Sequence, residues 1–151
     1  MNTKVAERLA SLGPLGYLPA PGTVATLITL PAVYLLAGYF SPIGYARIAC
    51  LVAFIAWCAI HVATKHSSDS DPSHIVIDEV VGCLYTFLFL PINGKTLILG
   101  CLFFRFFDIT KWCGVKYCEK LPGAWGVLAD DCAAGLLSNV ALQWMIHFGF
   151  M

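Results

Sequence analysis

Two adjacent aspartates, Asp130 and Asp131, stand at the start of an apolar run that continues almost to the end of the sequence. Burying one carboxylate beside a hydrophobic segment is costly, and burying two neighbours costs more unless a positive charge lies near them. The stretch LADDCAAGLL (128–137) therefore predicts a compensating cation. Gly135 follows Asp131 by four residues, and a missing Cβ one turn beyond a carboxylate lets a second helix approach closely.

The motif IVIDEVVG (75–82) repeats this spacing, because Gly82 follows Asp78 by four residues. Asp78 and Glu79 begin an apolar segment, where acidic side chains also interact favourably with a helix dipole. This motif alone is therefore explained equally well by helix stability and by a functional site.

The motif FFRFFDITK (103–111) places Arg105, Asp108 and Lys111 three residues apart, so they fall along one side of a helix. A ladder of ion pairs between residues i and i+3 is the structural explanation. The three charges are, however, embedded among four phenylalanines, which is not typical of a solvated helix face.

The motif PAPGT (19–23) precedes another apolar segment. Pro21-Gly22-Thr23 predicts a turn and a helix N-terminus, with Thr23 as the N-cap residue. A helix that starts with Gly22 and Thr23 can also offer backbone N–H groups to an anion.

These motifs bring five carboxylates and two cations to one predicted depth of a hydrophobic chain, where ionisable residues are functional candidates. Oxygen ligands without a cysteine and histidine cluster favour Mg²⁺ or Mn²⁺ over zinc, and magnesium usually shares a phosphate with its substrate. We therefore predict a site that holds a divalent metal and a phosphate group. The predicted phosphate-binding cations are Arg105 and Lys111, and the divalent cation would offset the repulsion between Asp130 and Asp131.

The elements that position these residues are predicted to be helices in a single domain, residues 1–151. Hydrophobic residues make up 59% of the chain and charged residues 12%, and the zero net charge argues against a nucleic-acid partner. We expect an all-α, compact helical bundle, a multi-pass membrane protein with short or half-buried helices. A soluble helical bundle is the alternative. Five apolar segments without strand-like alternation span about 24–40, 48–63, 80–92, 96–104 and 132–150.

The distribution of charge supports the membrane interpretation. If all five segments cross and the N-terminus is cytoplasmic, seven of the nine basic residues lie inside, as the positive-inside rule requires. The same arrangement places every acidic cluster, including Asp69 and Asp71, on the cytoplasmic side. The predicted site therefore faces the cytoplasm.

The four motifs PAPGT (19–23), DPSHIVIDEVVG (71–82), RFFDITK (105–111) and GAWGVLADDCAAG (123–135) resemble, in order, those of the phosphatidylglycerophosphatase A family. The resemblance implies an all-helical enzyme of the bacterial cytoplasmic membrane. It implies that Mg²⁺-dependent hydrolysis removes the terminal phosphate of phosphatidylglycerophosphate and leaves phosphatidylglycerol. Two departures are Ala25, where the family commonly has a second glycine, and the absence of two prolines after Lys111.

The resemblance also assigns roles to the matching positions. Asp108 or one of the aspartate pair would orient or deprotonate the attacking water, and no serine or cysteine nucleophile is required. The implied catalytic residues are Asp108, Asp131, Arg105 and Lys111; the substrate-binding residues are Arg105, Lys111, Thr23 and Gly22; and the metal ligands are Asp78, Glu79, Asp130 and Asp131.

Three other classes of protein fit parts of the pattern. A small cation carrier or channel would use intramembrane carboxylates, but Arg105 and Lys111 would repel its ion. The CDP-alcohol phosphatidyltransferases have a spaced acidic signature that this sequence lacks. A structural membrane subunit would only pair its own charges.

Overall fold

The computed structural model describes residues 2–65 and 72–150, and both ranges are helical with no β-strand. The all-α prediction is therefore confirmed. Asp69 and Asp71 lie outside the described residues. The elements are α1 (Thr3–Ala10), a 3₁₀ turn (Gly13–Tyr17), α2 (Pro21–Tyr39), α3 (Pro42–Thr64), α4 (Ile77–Thr86), α5 (Gly94–Thr110), α6 (Val115–Cys118) and α7 (Ala124–His147).

The five predicted segments correspond to α2, α3, α4, α5 and α7, with two informative differences in their bounds. Helix α4 ends at Thr86, although its apolar segment continues to Ile92, so α4 is only about 15 Å long. Helix α7 begins at Ala124, so Asp130 and Asp131 lie about two turns inside it and not ahead of it. Helix α1 was not predicted, because the side chains that it buries, Ala6 and Ala10, are too small to form an apolar run.

Helix α4 packs against α7 through glycines. A Cβ on Gly82 would lie 2.7 Å from the carbonyl oxygen of Asp131 and 2.5 Å from the ring of Phe104. Real side chains do not tolerate such distances, so this contact requires glycine. The close approach predicted from the spacing of Asp78 and Gly82 is therefore confirmed.

The C-terminal end of α4 lies inside the bundle, where its last carbonyl groups have side-chain partners. The Tyr45 hydroxyl on α3 donates to the Leu84 carbonyl at 3.0 Å. The Asn139 side chain on α7 donates to the carbonyls of Thr86 and Leu88 at 3.0 and 2.8 Å. These bonds replace water at a helix end that would otherwise leave buried acceptors unpaired.

The outer faces of the long helices are apolar. Helices α2 and α3 are long and apolar enough to cross a membrane, judged by length and composition. Contiguous exposed apolar surface of this kind is typical of a lipid or protein interface. Exposed residues on these faces include Leu27, Ile28 and Leu35 on α2, Leu51, Phe54 and Ile55 on α3, Ile98 and Leu102 on α5, and Leu136 and Val140 on α7.

Candidate active site

The candidate site lies at one end of the bundle, where α2 and α4 begin, α5 ends and α7 completes its second turn. Residues from the four separate motifs meet here. They are Gly22, Asp78, Glu79, Arg105, Asp108, Lys111, Asp130 and Asp131.

Three of the carboxylates form an acidic triad: Asp78, Glu79 and Asp131. One oxygen of each lies within 4.8 Å of the other two, a grouping that could hold a metal ion. Asp78 and Asp131 are 7% and 3% exposed, and Glu79 is half-buried. Glu79 Oε2 is buried and has no hydrogen-bond partner. An unpaired buried oxygen beside two further carboxylates indicates a place for a cation.

The triad is electrostatically unfavourable when all its members are ionised. Burial raises the pKa of Asp78 well above its usual value, and the neighbouring charges of Glu79 and Asp131 raise it further. Burial also raises the pKa of Asp131, and Asp108 and Glu79 add to this effect. Protons or a bound cation must therefore compensate the carboxylates, and oxygen ligands of this kind suit Mg²⁺ or Mn²⁺.

Asp130 points to a different partner. Its Oδ2 contacts the Nζ of Lys111, and its Oδ1 accepts the backbone N–H of Asp131 at 3.0 Å. Consecutive residues of an α-helix project about 100° apart, so two adjacent aspartates cannot face the same ligand equally. The structure thus places Asp131 with Asp78 and Glu79, and Asp130 with Lys111.

Arg105, Asp108 and Lys111 form the predicted ladder of ion pairs. Arg105 Nη1 lies 2.6 Å from Asp108 Oδ2, and Lys111 Nζ lies 3.1 Å from Asp108 Oδ1. Arg105 Nε and Nη1 are both buried without an aligned hydrogen bond. Burial opposes the charge of Lys111, but Asp130 and Asp108 outweigh this effect and raise its pKa. Lys111 therefore stays charged beside the triad.

Helix α2 brings Gly22 against this cluster. A Cβ on Gly22 would lie 2.1 Å from Glu79 Oε1 and 3.1 Å from Arg105 Nη1, so glycine leaves room for both side chains. The prediction that Thr23 caps this helix is wrong. The helix already begins at Pro21, whose fixed φ suits the first helical position, and Ala20 is the N-cap. Thr23 is half-buried in the first turn.

Sequence reasoning missed Glu119. Its Oε1 lies 3.7 Å from Lys111 Nζ, because the chain turns back after α5 through the short helix α6. Its side chain is 41% exposed, and such a lone surface glutamate carries no sequence signal. The missing prolines after Lys111 do not disturb the charged residues, although Lys111 and Cys113 both have a left-handed backbone.

Comparison with known proteins agrees with the geometry. The family described as Phosphatidylglycerophosphatase A matches residues 8–146. A Bacteroides thetaiotaomicron protein named "Putative phosphatidylinositol-3-phosphatase" is 35% identical, covering 87% of this chain and 89% of its own. The Escherichia coli protein named Phosphatidylglycerophosphatase A is 29% identical, covering 84% of this chain and 74% of its own. No solved structure matches significantly.

Proposed function

The chain belongs to the phosphatidylglycerophosphatase A family, and from this membership and the site we propose a Mg²⁺-dependent lipid phosphatase. It hydrolyses the terminal phosphomonoester of phosphatidylglycerophosphate to phosphatidylglycerol and inorganic phosphate. The observation that carries the proposal is the acidic triad, which lies beside the two cations predicted to bind phosphate.

The residues of the triad fit a divalent cation. Asp78, Glu79 and Asp131 would hold it through one oxygen each, and the unpartnered Glu79 Oε2 is available nearby. A divalent cation bound there would polarise a phosphate oxygen and offset negative charge in the transition state. Magnesium is favoured over zinc because the ligands are carboxylates alone.

Arg105 and Lys111 supply the positive charge that a phosphate requires. The buried Arg105 Nε and Nη1 lack aligned partners, so the guanidinium can donate to phosphate oxygens. Lys111 has three N–H donors, and Asp108 and Asp130 engage only two within hydrogen-bond distance. Phosphoryl transfer depends mainly on positioning and charge of this kind.

Asp108 is the proposed base, because its two oxygens contact Arg105 and Lys111, the cations proposed to bind the phosphate. A water oxygen bonds to phosphorus while the bond from phosphorus to the glycerol oxygen breaks. Asp108 takes a proton from the water, the glycerol oxygen takes a proton from solvent, and Asp108 then releases its proton to solvent. The sum is the addition of one water molecule, which yields an alcohol and inorganic phosphate.

We place the enzyme in the bacterial cytoplasmic membrane. Helices α2 and α3 would cross the bilayer, and the exposed apolar faces of α5 and α7 would contact lipid. The triad precedes the predicted membrane segments 80–92 and 132–150, so it would lie near the cytoplasmic surface. A phosphate on a lipid headgroup would reach the site from that surface.

The test is phosphate release from phosphatidylglycerophosphate by the purified chain in detergent micelles with Mg²⁺. Asp78→Asn, Asp108→Asn and Asp131→Asn should each lose at least about 100-fold in kcat. Glu7→Gln, an exposed carboxylate on α1, is the control and should keep wild-type activity. Near-wild-type activity in all three aspartate variants would refute the proposed site.

A second substrate deserves the same assay, because the Bacteroides relative is named for phosphatidylinositol 3-phosphate. Both lipids present a phosphomonoester on a headgroup, so the same triad could act on either. Phosphate release from phosphatidylinositol 3-phosphate alone would reassign the substrate and leave the mechanism intact.

A further inference from the structure

We infer that Asp130 is a positioning residue that holds Lys111 in the site, and that it is not a ligand of the divalent metal. This inference deepens the proposed function and rests on it. It separates the roles of two adjacent aspartates that the sequence presents as a pair.

The first argument is the direction of the two side chains. Asp131 shares the acidic triad with Asp78 and Glu79, whereas Asp130 lies outside that grouping. Both oxygens of Asp130 already have partners: Oδ2 contacts Lys111 Nζ, and Oδ1 accepts the backbone N–H of Asp131. Asp130 would have to release Lys111 before it could turn towards the triad.

The second argument is the conformation of Lys111. It follows the last residue of α5 and has φ 50° and ψ 35°, a left-handed conformation that residues with a side chain seldom adopt. The Lys111 N–H still donates to the Phe107 carbonyl at 2.9 Å, so Lys111 is the C-cap residue of α5. From there the side chain reaches α7, where Asp130 is 7% exposed. The contact therefore ties the end of α5 to α7.

The third argument is the route from this contact to Asp108, the proposed base. Lys111 Nζ also bonds to Asp108 Oδ1, and Asp108 Oδ2 pairs with Arg105. Through Lys111, Asp130 is thus connected to both of these groups, which is the arrangement of a residue that orients others.

Metal binding and turnover should separate the two aspartates. Mn²⁺ binding to the full chain in micelles, measured by electron paramagnetic resonance, should stay within about twofold of wild type in Asp130→Asn. Asp131→Asn should weaken it more than about 10-fold. Asp130→Asn should nevertheless lower kcat about 10- to 100-fold. Glu7→Gln, which alters an exposed carboxylate on α1, should change neither quantity.

A double-variant cycle tests the coupling. The double variant Asp130→Asn with Lys111→Met removes both charges and so leaves neither of them as an unpaired buried ion. It can therefore still be measured if a single variant fails to fold. Its kcat should be no lower than that of the worse single variant, because Asp130→Asn adds no further loss once Lys111 is absent. Lys111→Arg should retain more activity than Lys111→Met.

Two results would overturn the inference: a loss of Mn²⁺ affinity in Asp130→Asn equal to that in Asp131→Asn, or a wild-type kcat in Asp130→Asn. Mn²⁺ binding needs no turnover, so it decides the role of Asp130 even if phosphatidylglycerophosphate is not hydrolysed. Failure of the proposed function would instead appear as an inactive wild-type chain.

Discussion

A Cβ atom on Gly135 would lie 2.3 Å from the carbonyl oxygen of Gly82, so α4 and α7 touch backbone to backbone. Each glycine follows a triad aspartate by one helical turn: Gly82 follows Asp78, and Gly135 follows Asp131. The contact between the glycines therefore sets the separation of the two carboxylates.

Gly135→Ala should both destabilise the protein and impair the site. The added methyl group meets backbone atoms, which cannot rotate away, so a loss of about 1–3 kcal/mol in the free energy of unfolding is expected. The melting temperature and the Mg²⁺ concentration at half-maximal activity are the measurements. Gly38 is also in a helix, but a Cβ added there would meet no neighbour within 4 Å, so Gly38→Ala should not lose stability. Equal behaviour of the two variants would contradict the role of the contact.

Gly22→Ala should impair activity far more than stability. Its new methyl group would meet the ends of the Glu79 and Arg105 side chains, which are flexible and can move aside. The fold should tolerate this shift, but the displaced groups belong to the triad and to the pair of cations proposed to bind phosphate. We expect kcat/KM to fall at least about 10-fold and the melting temperature to change little. Unchanged kinetics would show that neither side chain needs its present position.

Metal-free protein should lose stability as the pH rises. Burial raises the pKa of Asp78 and Asp131 in the folded state, so folding retains protons that an unfolded aspartate, with a pKa of about 3.9, releases. This stabilising contribution is complete below about pH 4 and is lost as the pH rises through the raised pKa values. In EDTA, the melting temperature should be higher at about pH 5 than at about pH 8.

Addition of Mg²⁺ should reverse this trend, because the metal replaces the protons on the triad. The increase in melting temperature on adding Mg²⁺ should be larger at about pH 8 than at about pH 5. Asp78→Asn removes one titrating group, so the melting temperature of this variant in EDTA should change less with pH. A melting temperature in EDTA that rises with pH would contradict the electrostatic description of the triad.

Asn139→Leu should be strongly destabilising although it lies far from the chemistry. The change leaves the carbonyls of Thr86 and Leu88 without their side-chain donor, and each buried unpaired group costs about 1–3 kcal/mol. Gln143→Ala is the control: Gln143 donates to the Asn139 side chain and is exposed. A loss for Asn139→Leu no larger than that for Gln143→Ala, measured by thermal unfolding, would contradict the role assigned to Asn139.

Much of this arrangement could be predicted from the sequence, because the signals were local. The spacing of three in Arg105, Asp108 and Lys111 is enough to define one helix face, and the ion pairs form there. The different directions of the Asp130 and Asp131 side chains could not be predicted, because the apolar segment that predicted α7 starts at residue 132. The helix itself begins eight residues earlier, at Ala124. Once both aspartates are inside a helix, the 100° step between neighbours separates them.

Other features depend on tertiary structure and left no local signal. Helix α4 stops at Thr86 because α3 and α7 provide donors for its carbonyls, whereas its apolar sequence continues. The contact of Glu119 with Lys111 depends on the path of the chain through α6. Neither feature is encoded in the residues that it affects.

The short length of α4 has a consequence for the order in which the chain folds. A ten-residue helix whose last carbonyls take donors from α3 and α7 cannot complete its hydrogen bonds alone. Tyr45 is made before α4, but Asn139 is made only after it. We therefore expect α4 to reach its final position only after α7 has formed, so that the acidic triad is completed late in folding.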